Sequence, residues 1–222
     1  MQLTKILGGL VTALVAVGVF GLVGQWDWPR GWALIGLLLL GRLTSVPYLW
    51  RKNPELMKRR EQLGKGTKTW DIVVLAMFGV TFLAIPLVAA LDIRYRWSEM
   101  SPWLWPVGAV LYAFFVAVVT RSMAVNPFFE KTVRIQGDRN HQVIESGPYR
   151  IVRHPGYIAT ILGLVLAMPL LLGSWWAFIP ATLSTLCLII RTTLEDRTLQ
   201  KELSGYEAYT RKVHYRLLPG LW

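Results

Sequence analysis

The chain has 222 residues, 54% of them hydrophobic, and a formal net charge of +11. Soluble domains of this length are nearer about 45–50% apolar, and here the excess is gathered into long runs between charged stretches, which excludes an ordinary soluble core and reads as a membrane protein. The charge therefore points to basic loops facing anionic lipid rather than to nucleic acid, and the single Cys187 excludes an intrachain disulfide and a cysteine-based metal site.

Six apolar segments follow in chain order, at residues 4–24, 30–50, 70–91, 102–123, 156–173 and 175–190. About 20 apolar residues span a bilayer as a helix, so the first four qualify by length. The last two are shorter, each carries a proline (Pro169, Pro180), and they read as a hairpin of two spans. The first run has no clear small-x-small cleavage site and more spans follow, so it is expected to be a retained helix rather than a signal peptide. The fold class is thus all-α, a multi-span bundle of five to six transmembrane helices in one domain, 1–222.

Orientation is read from the basic residues. One side holds Lys5, seven basics between Arg51 and Lys68, six between Arg121 and Arg153, and six between Arg191 and Arg216. The other side holds only Arg30, Arg94 and Arg96. This imbalance predicts a multi-pass protein with both termini cytoplasmic. The loops at Gln25–Pro29, Asp92–Ser101 and Gly173-Ser174 are short, whereas 51–69, 124–155 and 191–222 are long. A polar site must be built from the long ones. The basic stretch Arg51 to Arg60 reads as a surface helix meeting anionic headgroups. Arg42 lies inside the second run and is either functional or a snorkelling side chain.

Chemistry concentrates at the start of the fifth run. Gly147-Pro148 is turn chemistry. Pro155 keeps His154 extended and suits the first turn of the following helix. His154 and Tyr157 are then set at the membrane surface, beside free N–H groups of a helix N-terminus. Arg191 and Glu195, four residues apart at the end of the sixth run, share one helical face. Leu199, Leu203, Tyr206 and Tyr209 continue at helical spacing, weakened by Gly205. The ending Tyr215 to Trp222 is apolar enough to lie against the membrane or the protein.

Gly147-Pro148-Tyr149, Arg153-His154-Pro155-x-Tyr157, Arg191-x-x-x-Glu195-Asp196 and the Tyr-rich tail together resemble the isoprenylcysteine carboxyl methyltransferase family, grouped with phospholipid methyltransferases. The resemblance covers roughly residues 120–222. It implies N-terminal helices over 1–100, a cofactor-binding and catalytic core over 101–222, cytoplasmic loops capping the cofactor and a C-terminal helix. It implies S-adenosyl-L-methionine as cofactor and a lipid or prenylated substrate entering from the bilayer, with no metal. His141, Gln142, Val143 and Ile144 would line the adenosine and Tyr149 would pack against it. His154, Pro155, Gly156 and Tyr157 would hold the amino-acid end, Glu195 would also touch the cofactor, and Arg191 would orient the substrate carboxylate. The family often has two consecutive glutamates where this chain has Glu195-Asp196, which leaves the role of Asp196 open. The expected reaction is carboxyl O-methylation of an isoprenylcysteine-like lipid. Phospholipid amine N-methylation, a nicotinamide-dependent reductase like the sterol reductases (whose ending resembles Tyr215-Arg216-Leu217-Leu218-Pro219) and a non-enzymatic scaffold are the alternatives.

Overall fold

The computed structural model describes residues 18–24, 26–60 and 66–222, and over that range it is all-helical. Most of the run expected at 4–24 lies outside the described residues; its end, 18–23, is helical and stops on Gly24 in the left-handed region. Five described helices are long and apolar enough to cross a bilayer: α1 (Pro29–Lys52), α3 (Thr69–Tyr95), α4 (Leu104–Val125), α5 (Pro155–Leu172) and α6 (Phe178–Glu202). Two short helices, α2 (Pro54–Arg59) and α7 (Tyr206–Lys212), complete the set.

The spans keep large apolar side chains on their outside. Leu43, Val80 and Trp103 are 71%, 72% and 84% exposed. A soluble protein rarely leaves such a surface uncovered, so the chain is an integral membrane protein whose outer face belongs to lipid. Arg42 sits exposed on α1, away from the core and outside the cavity described below, as a snorkelling side chain would.

Burial falls instead on α5. Its span is 67% buried, against 11% for α3. It packs on α4 along its length and is backed by α6, while α6 also lies along α3 and α1 leans on α4. Gly163 lets α5 approach α4: a Cβ there would collide with the Leu111 carbonyl oxygen and the Phe115 Cβ. The same stretch, Ile161–Val165, is a π-helical turn inside α5, a local widening often found near functional sites.

The loop-bearing end of the bundle is stitched by polar side chains. Asn53 closes α1 and caps α2, accepting from the Leu56 N–H at 3.3 Å, while its Nδ2 donates to the Met123 carbonyl near the end of α4 at 2.9 Å. Lys68 donates to Glu202 at the end of α6, at 2.7 Å. α2 also meets the protein itself: Glu55 and Arg59 pair with Arg139 and Asp138 of the 126–146 loop. At the far end, fully buried Asp92 accepts from the Ser98 N–H and Oγ and from the Ser174 Oγ.

One expectation changes. The helix of the last span continues past its apolar run to Glu202, as the helical spacing beyond Arg191 implied, but it does not run on through Tyr206 and Tyr209. Leu203 is extended and Gly205 takes φ 82°, a left-handed turn that glycine adopts without a Cβ penalty. Gly205 therefore breaks the helix rather than weakening it, and α7 folds back as a separate piece.

Gly163→Ala should cost about 1–3 kcal/mol through overpacking. Gly79→Ala, on α3 where nothing lies within 4 Å of the new carbon, should stay within about 0.5 kcal/mol. Unfolding temperatures of the two variants in the same detergent check this.

Candidate active site

The polar end of α6 delivers Arg191, Glu195 and Asp196 to the junction of α5, α7 and the tail. Asp196 is fully buried and surrounded by donors. Its Oδ1 accepts from Arg153 Nε at 2.8 Å and the Tyr206 hydroxyl at 3.0 Å, and lies 3.1 Å from His154 Nε2. Its Oδ2 accepts from Arg153 Nη2 at 3.1 Å, Gln200 Nε2 at 2.7 Å and Arg216 Nε at 2.9 Å. Arg153 also donates to the Val213 and His214 carbonyls, and the Arg153 and His154 N–H groups donate to the Tyr215 and Arg216 carbonyls. The role left open for Asp196 is therefore structural: it ties the start of α5 to α7 and the tail. The tail turns back on itself, with the Trp222 carbonyl accepting from the Arg216, Leu217 and Leu218 N–H groups, and Leu217 is buried in the main core.

One turn earlier, Arg191 does not pair with Glu195. Its Nε and Nη2 grip Asp71 of α3 at 2.7 and 3.2 Å, and Nη2 also donates to the Lys131 carbonyl at 2.8 Å. Asp71 is fully buried and accepts in addition from the Val133 N–H at 2.7 Å. The Arg191 guanidinium carbon sits 5.4 Å from the centre of the Tyr157 ring. The Tyr157 hydroxyl donates to Glu195. Among the described residues, Glu195 has no cationic partner and Arg191 Nη1 has no hydrogen bond.

These groups border a cavity of about 610 Å³, within the range of small-molecule sites. The 126–146 loop roofs it. Glu130 pairs with Arg134 at 2.8 Å, Gln136 is buried against the Phe128 carbonyl, and the His141 ring lies 4.4 Å from the Phe128 ring. Burial is the main cause that lowers His141 to about 4, so the imidazole is neutral at pH 7. Tyr149 is buried, receives a hydrogen bond from Asn126 at 2.9 Å on its hydroxyl, and is raised well above the usual phenol range chiefly by burial. Its carbonyl accepts from the Tyr209 hydroxyl at 2.7 Å. Gly156 faces Phe129, whose ring would lie 2.6 Å from a Cβ there.

The eleven residues expected to hold cofactor or substrate all border this one cavity. His141, Gln142, Val143 and Ile144 come from the loop, Tyr149 from the turn Gly147–Arg150, His154, Pro155, Gly156 and Tyr157 from the entry to α5, and Arg191 and Glu195 from α6. His154 is less free than a cofactor ligand was expected to be, since its Nε2 faces Asp196 and Tyr206. Arg191 is likewise mostly committed to Asp71. Sequence reasoning missed Asp71, Arg60, Asn126 and the Phe128–Val133 wall. Asp71 did carry a signal: an acid at the entrance of an apolar span is a functional candidate.

Residues 109–201 match the Isoprenylcysteine carboxyl methyltransferase (ICMT) family. The matched stretch runs from α4 through nearly all of α6 and contains the roof loop, α5 and Glu195. It leaves out α1 to α3, α7 and the tail. No match is found among curated proteins.

Asp196→Asn should remove the charge that holds Arg153 and Arg216 and cost about 3–5 kcal/mol, read as protease cleavage after Lys212 or Arg216 under conditions where the parent resists. His141 gives a pH signature. An unfolded histidine gains its proton near about 6.5, but His141 in the fold gains it only near 4. The unfolded state thus binds more protons between these values, and stability falls as pH drops through that window. His141→Gln should flatten this part of the unfolding-temperature profile.

Proposed function

We propose, from the membership of residues 109–201 in the isoprenylcysteine carboxyl methyltransferase family, that this membrane methyltransferase binds S-adenosyl-L-methionine in the 610 Å³ cavity and methylates the carboxylate of an isoprenylcysteine-like lipid at the cytoplasmic face. The observation that carries the reading is the cavity itself. It joins a polar chamber, roofed by the 126–146 loop, to an apolar extension between spans lined by Phe78, Phe115, Leu164 and Leu188. A polar cofactor and a lipid chain require that combination. The excess of basic residues on the loop-bearing side supports the cytoplasmic assignment.

The residues present fit the cofactor. Glu195 offers an anionic oxygen to a cationic group, held in place by the Tyr157 hydroxyl. Neutral His141 and the apolar Val143 and Ile144 suit an adenine face, with loop backbone groups for its edge. The cofactor supplies a methyl group on a positively charged sulfur; the carbon–sulfur bond breaks as a carbon–oxygen bond to the substrate forms, giving a thioether and a methyl ester. A carboxylate is already ionised at neutral pH, so no general base is needed. The chain's contribution is to align the two reactants and keep water out. Arg191 Nη1 remains for a substrate oxygen, and the Asp71 grip holds the guanidinium plane still.

Detergent-solubilised protein is expected to transfer labelled methyl from S-adenosyl-L-methionine to N-acetyl-S-farnesyl-L-cysteine and to bind S-adenosylhomocysteine. Glu195→Gln should weaken the latter at least about tenfold, the scale of one lost charged hydrogen bond. Binding of a reduced nicotinamide cofactor in place of S-adenosylhomocysteine would overturn the proposal. Arg191→Ala alone would strand buried Asp71, so the informative variant is the double Asp71→Asn/Arg191→Gln. It should stay folded and bind S-adenosylhomocysteine, yet lose most turnover.

A further inference from the structure

The cavity's charges fall into buried pairs with few exceptions. Arg134 has Glu130, Arg153 has Asp196 and Arg191 has Asp71. Among the described residues, neither Glu195 nor Arg60 makes a salt bridge, although both line the cavity. Lys131 also borders the cavity but is exposed, where water screens it. Arg60 is different. It follows α2, is half-buried, and lies under the roof loop. Its Nη1 donates to the Phe129 carbonyl at 2.7 Å, and its guanidinium carbon stands 5.5 Å from the centre of the Phe129 ring. Among the described residues, Nε and Nη2 have no hydrogen-bond partner.

A guanidinium stays charged in any protein setting, and a half-buried one that makes no ion pair is costly. Burial first, and the neighbouring Arg191 second, pull Arg60 below its ordinary value, with Glu130 opposing them. The unmet charge is therefore felt next to the arginine already assigned to the substrate.

We infer that Arg60, anchored on the Phe129 carbonyl, is a substrate-binding residue that holds the oxyanion headgroup of the amphiphile through its free Nε and Nη2. This rests on the reading of the cavity as a methyl-transfer site and deepens it. The cavity then has a negative pole at Glu195, suited to the cationic cofactor, and a positive pole at Arg60, suited to the anionic acceptor. A planar fork with two free donors fits a carboxylate or a phosphate. Arg60 lies outside the family-matched stretch, so α2 adds an acceptor contact that the matched core does not supply.

The test measures binding to the solubilised full chain at saturating S-adenosylhomocysteine. The first probe pair is N-acetyl-S-farnesyl-L-cysteine and its carboxamide. The second is phosphatidic acid and diacylglycerol with the same chains. The parent should prefer the charged member of the carboxylate pair by about tenfold or more. Arg60→Gln should bring that ratio near one without changing S-adenosylhomocysteine affinity, and Arg60→Lys should keep part of it. A preference that survives in Arg60→Gln overturns the assignment. So does a loss in Arg60→Gln that weakens both members and S-adenosylhomocysteine alike, since that is what a purely structural arginine would do. If the Arg60-dependent preference belongs to the phosphatidic acid pair alone, the oxyanion site stands and the prenylcysteine reading falls. If neither pair shows a preference in the parent, the Arg60 assignment fails, while methyl transfer to the farnesylcysteine still decides the reaction independently.

Discussion

A single buried carboxylate organises the reactive end of this protein. Asp196 collects Arg153 and His154 from the entry to α5, Tyr206 from α7, Gln200 from its own helix and Arg216 from the tail. A charge at zero exposure is tolerable only when hydrogen bonds replace the water it has lost. Here they come from four separate pieces of chain, so the same bonds that satisfy the charge also bring those pieces together. The cavity wall made by His154, Pro155, Gly156, Tyr157, Tyr206 and Tyr209 is a consequence of that closure.

The Asp71–Arg191 pair does the corresponding work on the other side. It joins α3 to α6 and, through the Val133 N–H and the Lys131 carbonyl, pins the roof loop. Both side chains are buried, with Asp71 fully so, and their attraction is therefore weakly screened by water. Among the described residues, Glu195 and Arg60 are left facing the cavity without a salt bridge.

The family match covers α4 to α6, but the cavity does not stop at its limits. Arg60, Leu75 and Phe78 come from before it, and Leu203, Tyr206 and Tyr209 from after it. The matched core supplies most of the cavity lining, and flanking segments complete it.

The sequence by itself determined the five described spans, the side on which polar residues accumulate, the turn at Gly147-Pro148 and the proline-led start of α5. All of these rest on local information: the length of an apolar run and the backbone limits of glycine and proline. The eleven residues expected at the site came instead from the family resemblance. Only the tertiary structure decided the partners. Arg191 and Glu195 share a helical face as expected, yet Arg191 chooses Asp71, 120 positions away, and Glu195 is left to Tyr157. Asp196 turned from an unexplained departure into the hub, and Gly205 from a weak point in a helix into its end. The physical reason is that a buried charge is satisfied by whichever donor the fold carries to it, and helical spacing limits that choice only within one helix.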